Sequence, residues 1–193
     1  MPEIGKKLTS SLDWNQIFDD KIFRKEFEES VLPEYIQTCR WFAGKSSTII
    51  HVRIQHILSI DSRSDRYYIL IVETQFKEAF SHQYLLPIAF LKENSDDLKE
   101  INFITRLHQV SVEGKVYDAL YLQEFRSLIF DHIIHNKKVG ENEGKLTFEK
   151  DDSFDWMGDS NTKSEILKAD QSNTAIIYQD KYFFKWFRRI FRE

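Results

Sequence analysis

Five residues near the end of the chain have the types and spacing of a phosphate-binding site. A polar turn lies between two strand-like runs, and a lysine follows on the next strand: Gln171, Ser172, Asn173, Thr174 and Lys185. Backbone amides and small hydroxyls in such a turn can cradle phosphate oxygens. The alternative is an ordinary polar hairpin loop, which is the favoured interpretation when the turn is taken alone.

Lys185 bears on the choice between these two interpretations. It lies among Phe183, Phe184, Trp186 and Phe187 in a predicted strand with one buried face. A partly buried ammonium group needs an anionic partner, and a phosphate would serve. In the alternative, Lys185 lies on the solvent face with Phe183 and Phe187, and the pattern leaves both arrangements open.

Other groups of reactive residue types are weaker candidates. Residues 40–45, Arg-Trp-Phe-Ala-Gly-Lys, are typical of a helix C-terminus in which Gly44 supplies a left-handed cap. His132 and His135 lie three apart on a predicted helix, but the spacing places no third ligand near them. Cys39 is the single cysteine, so neither a disulfide nor a zinc pattern can be assembled. We predict no metal site and no catalytic residue within the chain.

The composition indicates a folded chain with little affinity for polyanions. Of 193 residues, 41% are hydrophobic and 15% aromatic, which provides enough apolar surface for a core. The formal net charge of −4 disfavours nucleic acid as a partner. No run approaches the ~18 apolar residues of a membrane span, and no leader is evident, so we predict a cytoplasmic protein.

The first half of the chain predicts a helix followed by three antiparallel strands. Apolar residues recur at helical spacing over residues 12–36, with Asp13 as the expected N-cap and a joint near Pro33. Apolar and polar residues alternate over residues 50–60, which predicts a half-buried strand. Residues 67–77 and 82–91 are predicted to form two further strands. Pro87 would then lie at an edge or a bulge.

The second half predicts further strands around one helix. We place a domain boundary in the polar segment near residue 95, then a strand over residues 101–107 and a hairpin at Glu113-Gly114. Asp118 is the expected N-cap of a helix whose apolar face includes Phe125. Residues 165–169, 174–178 and 181–187 are predicted to form one antiparallel sheet.

Five motifs in order resemble the maltokinases, which phosphorylate maltose at its anomeric carbon using ATP and include forms fused to trehalose synthase. They begin at Leu32 (Leu-Pro-Glu-Tyr, leading into residues 40–45), Tyr84 (Tyr-Leu-Leu-Pro-Ile-Ala), Asp118 (Asp-Ala-Leu), Gln171 (Gln-Ser-Asn-Thr) and Lys185 (Lys-Trp-Phe-Arg-Arg). Each motif is modest, but their common order is specific. Ala43 stands where the family usually repeats glycine.

The resemblance implies an α+β fold in two parts. Residues 1–95 would form an antiparallel cap domain with an N-terminal helix, and residues 96–193 a partial kinase-like N-lobe that stops before the C-lobe. Ser172, Asn173 and Thr174, with Gln171 beside them, would approach the ATP phosphates, and Lys185 would pair with the α- and β-phosphates.

The expected function is therefore the N-terminal part of a maltokinase-like sugar kinase in trehalose and glycogen metabolism. Because the catalytic aspartate and the magnesium ligands belong to the C-lobe, we expect weak or absent ATP binding, no magnesium site and no turnover in the isolated chain. A kinase C-lobe, a trehalose synthase-type protein and a second copy of the chain are the candidate partners. The alternative is a non-catalytic cap module that mediates interaction or regulation.

Overall fold

The computed structural model describes residues 6–63, 65–92, 102–110, 112–140, 144–152, 154, 156, 162–167 and 172–191. Within these ranges the chain is mostly β-structure with a few short helices. The broad α+β prediction is confirmed.

The predicted N-terminal helix is divided into several short pieces. A 3₁₀ turn at Trp14–Asp19 precedes α1 (Lys21–Glu26), a π-helical turn at Phe27–Val31 and α2 (Leu32–Thr38). The helical cap is Asp20, whose carboxylate accepts hydrogen bonds from the amides of Ile22 and Phe23. Asp13 occupies the N-cap position of the 3₁₀ turn, as predicted, but its side chain makes no cap bond. Pro33 lies in the first turn of α2, where a missing amide hydrogen is tolerated.

In the described residues the main sheet has seven strands, of which six follow the order β1-β5-β6-β4-β3-β2 and the seventh, near the end of the chain, pairs with β4. The six are β1 (Lys7–Ser10), β2 (Ile49–Asp61), β3 (Arg66–Phe76), β4 (Ser81–Lys92), β5 (Phe103–Gln109) and β6 (Val112–Asp118). The predicted meander of three strands is present as β2-β3-β4. Since β1 runs parallel to β5, however, the sheet is mixed, and the prediction of a purely antiparallel cap was wrong.

A bulge in β2 changes which side of the sheet its residues face. Val52 and Ile54 pack under the helices, whereas Ile60 packs on the opposite side, and the register shifts between Ile54 and His56. The strict alternation predicted for residues 50–60 therefore fails at this bulge, since one extra residue inverts the pleat. Ile50, predicted on the buried side, is half exposed.

Pro87 lies inside β4 without removing a ladder hydrogen bond. The amide of Leu85, two residues earlier, donates to the carbonyl oxygen of Arg188, and the pairing of β4 with β6 begins at Ile88. Amides two residues apart point to the same side of a strand, so Pro87 occupies the gap between these two partners. β4 is thus locally an edge at Pro87, in line with the prediction.

In its described residues, the second half of the chain has one α-helix, a three-stranded sheet and a two-stranded sheet. After a 3₁₀ turn at Ala119–Tyr121 come α3 (Gln123–Ile134), β7 (Lys138–Val139), β8 (Leu146–Thr147), β9 (Ser164–Leu167), β10 (Asn173–Tyr178), β11 (Tyr182–Phe187) and β12 (Arg189–Ile190). β9, β10 and β11 form the predicted antiparallel sheet, and β12 returns to pair with β4. The strand predicted at residues 101–107 is β5, which begins at Phe103.

Two local predictions in this half were wrong. Glu113 and Gly114 lie inside β6 rather than in a hairpin turn, because the turn comes earlier, at Val110. Asp118 caps the 3₁₀ turn by accepting a hydrogen bond from the amide of Leu120, and it does not cap α3 directly.

Apolar cores lie on both faces of the main sheet. The helical core lies under α1 and α2 and includes Phe23, Phe27 and Leu70. The second core, called the hairpin core below, lies between the sheet, α3 and the β9–β11 sheet and includes Ile69, Ile129 and Ile176. Successive residues of β3 face opposite cores, which explains why its sequence reads as a continuous apolar run rather than an alternating one. β5 and β6 lie past the predicted boundary at residue 95 and complete the same sheet as β2, β3 and β4.

Candidate functional site

The β10–β11 hairpin holds the candidate phosphate-binding residues that the structure describes. Its register pairs Asn173 with Phe187, Thr174 with Trp186 and Ala175 with Lys185. Side chains alternate across a strand, so Asn173 and Lys185 share one face and Thr174 lies on the other. Gln171 is outside the described residues.

Lys185 lies on an exposed face of this hairpin. Its ammonium group is 5.3 Å from the ring centre of Phe187, and that ring is 58% exposed. Phe183 on the same face is 63% exposed. Of the two arrangements that the sequence left open, the structure has the one in which Lys185 joins Phe183 and Phe187 on the solvent face.

The turn residues have different environments. Ser172 is exposed, and its hydroxyl oxygen accepts a hydrogen bond of 2.9 Å from the side-chain amide of Asn173. Thr174 is buried, and its hydroxyl oxygen accepts a 2.9 Å hydrogen bond from Nε of Arg188. Asn173 and Lys185 are diagonal neighbours on their common face, so both can approach one ligand.

Arg188 forms a fully buried ion pair behind this hairpin. Its Nη2 donates to Oδ2 of Asp118 at 2.7 Å, and both side chains have no solvent exposure. The indole ring of Trp41 lies against the guanidinium group, 5.1 Å from Cζ to the ring centre. The hydroxyl of Tyr35 donates to the same carboxylate oxygen of Asp118 at 3.4 Å.

This environment favours the charged form of Arg188 and the neutral form of Tyr35. Burial alone lowers the pKa of Arg188, but the adjacent Asp118 carboxylate and Tyr35 outweigh it and raise that pKa above its ordinary value. Burial, followed by the charge of Asp118, raises the pKa of Tyr35 well above its ordinary value. Nη1 of Arg188 is buried with no hydrogen-bond partner among the described residues. One guanidinium nitrogen is therefore desolvated without compensation by a hydrogen bond.

All five sequence motifs meet at this ion pair. Tyr35 and Trp41 come from the first motif and its extension, and Asp118 begins the third. The second motif contributes the amide of Leu85, which donates to the carbonyl oxygen of Arg188 at 2.8 Å. Thr174 and Arg188 belong to the fourth and fifth. Sequence reasoning did not single out Asp118 or Arg188 as a pair, because nothing in a linear sequence joins positions 70 residues apart.

The segment from Arg40 to Lys45 anchors the exit of α2. Trp41 and Phe42 are buried against Tyr84, as expected for an anchored helix end. Among the described glycines a positive φ occurs only at Gly140, so the predicted left-handed cap at Gly44 was wrong. Gly44 is required for another reason, since an added Cβ would lie 2.3 Å from Cζ of Phe76.

Comparison with protein families identifies the part of the chain that holds most of this network. Residues 35–121 match the family model of the maltokinase N-terminal cap domain. This segment is a maltokinase N-terminal cap domain. This match covers a little under half of the chain and supports a relation of the chain to the maltokinases. The match begins at Tyr35 and ends just after Asp118. Asp118, which pairs with Arg188, and Tyr35, which donates to the Asp118 carboxylate, therefore lie near the two ends of the matched segment.

Over the described ranges, no three His, Cys, Asp or Glu side chains are grouped closely enough to hold a metal ion. His132 is instead buried, with Nδ1 2.8 Å from the carbonyl oxygen of Leu128. No described helix has the length and apolarity needed to cross a bilayer.

Proposed function

We propose that this chain is the N-terminal part of a maltokinase-like sugar kinase, which transfers the γ-phosphoryl group of ATP to the anomeric hydroxyl of maltose. The cap-domain match carries the proposal, since it relates the chain to maltokinases independently of the hairpin. The placement of Asn173 and Lys185 on one accessible face supports a phosphate site beside the cap.

In this proposal the hairpin supplies the roof of the ATP site. Lys185 pairs with the α- and β-phosphates, and Ser172 and Asn173, with Gln171 beside them, approach the phosphate oxygens. The Thr174 side chain has a different role, because its hydroxyl oxygen accepts a hydrogen bond from Arg188. Thr174 fixes the turn against the cap and can offer its backbone to the phosphates.

The chemistry itself is assigned to a C-lobe, in the same polypeptide or in a partner. Phosphoryl transfer needs an aspartate that receives the sugar hydroxyl proton and carboxylate or amide ligands for magnesium. A loop and one lysine position the nucleotide but supply neither group. A maltokinase C-lobe or a trehalose synthase-type protein is therefore the expected partner in trehalose and glycogen metabolism.

Phosphorus NMR with magnesium, ATP and maltose tests this function. We expect no sugar phosphate from the chain alone and a maltose 1-phosphate signal when a maltokinase C-lobe is added as a separate polypeptide. Lys185→Ala should remove that signal. Lys181→Ala, an exposed lysine in the β10–β11 turn, is the matched control and should retain it. A signal that survives Lys185→Ala would contradict the assigned role of Lys185.

A non-catalytic cap module is the second candidate, and one observation favours it. Phe183 and Phe187 are exposed on the same face of β11, and exposed apolar patches commonly mark docking surfaces. Sedimentation of the chain and of a Phe183→Ser, Phe187→Ser variant measures self-association. Self-association lost in the variant, together with no phosphoryl transfer in the presence of the C-lobe, would favour the module.

A further inference from the structure

The two-residue strand β12 is bound to the main sheet through β4. The amide of Leu85 donates to the carbonyl oxygen of Arg188 at 2.8 Å, directly before β12. Opposite residues in an antiparallel ladder alternate between hydrogen-bonded and non-hydrogen-bonded pairs. Gln83 and Ile190 lie two pairs further along and are therefore the next hydrogen-bonded pair. With two paired residues, β12 depends strongly on the contacts of its side chains.

Arg189 and His82 lie on the same side of this pairing. Arg189 is directly opposite Tyr84, in the pair whose side chains approach most closely. His82 is two residues from Tyr84 on the same strand, so it is the diagonal neighbour of Arg189 on their common face. Nε of Arg189 is buried without a hydrogen-bond partner among the described residues, and Cζ lies 4.6 Å from the ring centre of Phe191. A positive charge on His82 would thus lie beside an existing cation.

The hydroxyl group of Tyr84 requires a neutral His82. Tyr84 is fully buried, and its hydroxyl oxygen lies 3.1 Å from Nδ1 of His82. Burial raises the pKa of Tyr84, so the hydroxyl stays protonated, and the backbone amide of Ala43 donates to its oxygen. The hydroxyl hydrogen can then donate to Nδ1, provided that this nitrogen carries no proton. Both nitrogens of a protonated ring are donors, so the buried hydroxyl would lose its acceptor.

The other side chains that the structure places against His82 are uncharged. The ring centre of His82 lies 5.1 Å from those of both Phe76 and Phe80, and Thr74 lies directly opposite on β3. Burial, followed by the charge of Arg189, lowers the pKa of His82 below its ordinary value. Within the described part of the chain, no carboxylate offsets a positive charge on the ring.

We propose that His82, Tyr84 and Arg189 form a proton-sensitive contact, which holds β12 on β4 while His82 is neutral and releases it when His82 is protonated. Protonation removes the acceptor of the Tyr84 hydroxyl and places two positive charges side by side. Release separates these charges, because Arg189 moves away with β12. Since β12 follows directly after β11, release removes one connection between the hairpin and the cap, and the Asp118–Arg188 pair remains as the other. The contact acts with or without a nucleotide.

NMR of the full chain between about pH 7.5 and about pH 5 tests the proposal. The ring proton shifts of His82 report its titration. The exchange rates of the Gln83 and Ile190 amides, compared with the intrinsic rates at each pH, report how well β12 is held. We expect both amides to lose protection below about pH 6.5, because a lowered pKa in the paired state means that protonation favours release. The Gln179 amide, which donates to Lys163 across β9 and β10, should keep its protection.

Three variants separate this contact from a general effect of acid. His82→Gln keeps an acceptor for the Tyr84 hydroxyl but cannot gain a charge, so Ile190 should stay protected across the pH range. His56→Gln, which removes an exposed histidine of β2, is the matched control and should lose protection as the wild type does. Arg189→Gln should raise the pKa of His82 towards its ordinary value, because one of the two causes of its lowering is gone.

Three results would overturn the proposal. The first is unchanged protection of Ile190 while the His82 ring titrates, and the second is an equal loss of protection in His82→Gln. The third is a pKa of His82 that is the same with and without Arg189, since the charges would then not act on one another.

Discussion

At the scale of single residues, the Asp118–Arg188 pair links the cap to the candidate phosphate turn. Both charges are fully buried, and Arg188 reaches Thr174 on one side and Trp41 on the other. A buried pair of this kind is costly to desolvate, but removing one partner is more costly still because it leaves an uncompensated charge. These two residues therefore matter for the position of the hairpin even though neither is expected to contact ATP.

The first prediction concerns this pair. Arg188→Met should lower the free energy of unfolding by about 3 to 5 kcal/mol, because it leaves the Asp118 carboxylate buried without a counter-charge. Lys185→Met, on the exposed face of β11, should change it by less than about 0.5 kcal/mol. Urea unfolding monitored by circular dichroism measures both values.

A double variant isolates the coupling between the two charges. Arg188→Met combined with Asp118→Asn should lose less stability than the sum of the single changes, because the neutral amide needs no counter-ion and still accepts the hydrogen bond of Leu120. Additive losses would show that the two charges do not stabilise one another.

The second prediction is a pH dependence at Asp20. The hydroxyl of Ser10 and the amide of Phe23 lower the pKa of this carboxyl, with partial burial opposing them. A lowered pKa in the folded state means that the stabilisation is complete at neutral pH and is lost as the pH falls through the carboxyl's titration. Asp20→Ala should therefore cost about 1 kcal/mol at pH 7 and progressively less below about pH 4.

Denaturant unfolding of wild type and variant across this pH range measures the difference. Asp13→Ala is the matched control, since its side chain makes no cap bond and its loss should have little effect at any pH. A cost at Asp20 that stays constant down to low pH would argue against a charged cap.

At the scale of elements, tight contacts between rings and backbone determine how the chain passes from α2 into β2. Gly44 lies where the rings of Phe76 and Phe42 approach the backbone, and an added Cβ would be 2.3 Å and 2.7 Å from their Cζ atoms. The bulge between Ile54 and His56 then directs the later part of β2 to the other core. Both features follow from packing rather than from the conformational preferences of the residues themselves.

The third prediction tests this connection. Gly44→Ala should destabilise the protein by about 1 to 3 kcal/mol, because the buried rings must shift to admit the methyl group. Ala43→Ser, one residue earlier and exposed, should change stability by less than about 0.5 kcal/mol. Thermal unfolding by calorimetry distinguishes them, and equal melting temperatures for the two variants would contradict the packing argument.

At the scale of the whole molecule, the two cores share one sheet and are expected to unfold together. β3 contributes Leu70 to the helical core and Ile69 to the hairpin core, so neither core can be lost without exposing the other side of the same strand. β12 adds a second connection by pairing with β4. Shared structure of this extent favours a single cooperative transition.

The fourth prediction is that local damage in either core lowers the stability of both. Leu70→Ala and Ile176→Ala should each cost about 2 to 5 kcal/mol. The methyl NMR signals of Ile36, in the helical core, and Ile129, in the hairpin core, should disappear at the same urea concentration in every variant. Separate midpoints for the two methyl groups would show that the cores unfold as independent units.

Local sequence patterns were sufficient for much of the secondary structure. Alternation and β-branched runs located β2, β3, β4 and the β9–β11 sheet, because a half-buried or buried strand imposes its period on the sequence. Pro33 marked a helix start for a reason contained in the residue itself. The motifs that begin at Leu32 and Tyr84 indicated a maltokinase cap, and the family match over residues 35–121 confirms it. The motifs that begin at Gln171 and Lys185 lie outside that match.

Only the tertiary structure decided which residues meet. The parallel pairing of β1, the inversion of β2 at its bulge and the meeting of Asp118 with Arg188 all depend on contacts between distant parts of the chain. The same holds for Lys185. Its neighbours in the sequence are compatible with a buried or an exposed side chain, and the register of β11 places it on the exposed face. The amino-acid sequence by itself determined the elements and the kinship of the cap, because these depend on local periodicity and motif order. The tertiary structure decided the buried charge pair, the exposed lysine and the contact between β12 and β4, because burial and pairing exist only after the chain has folded.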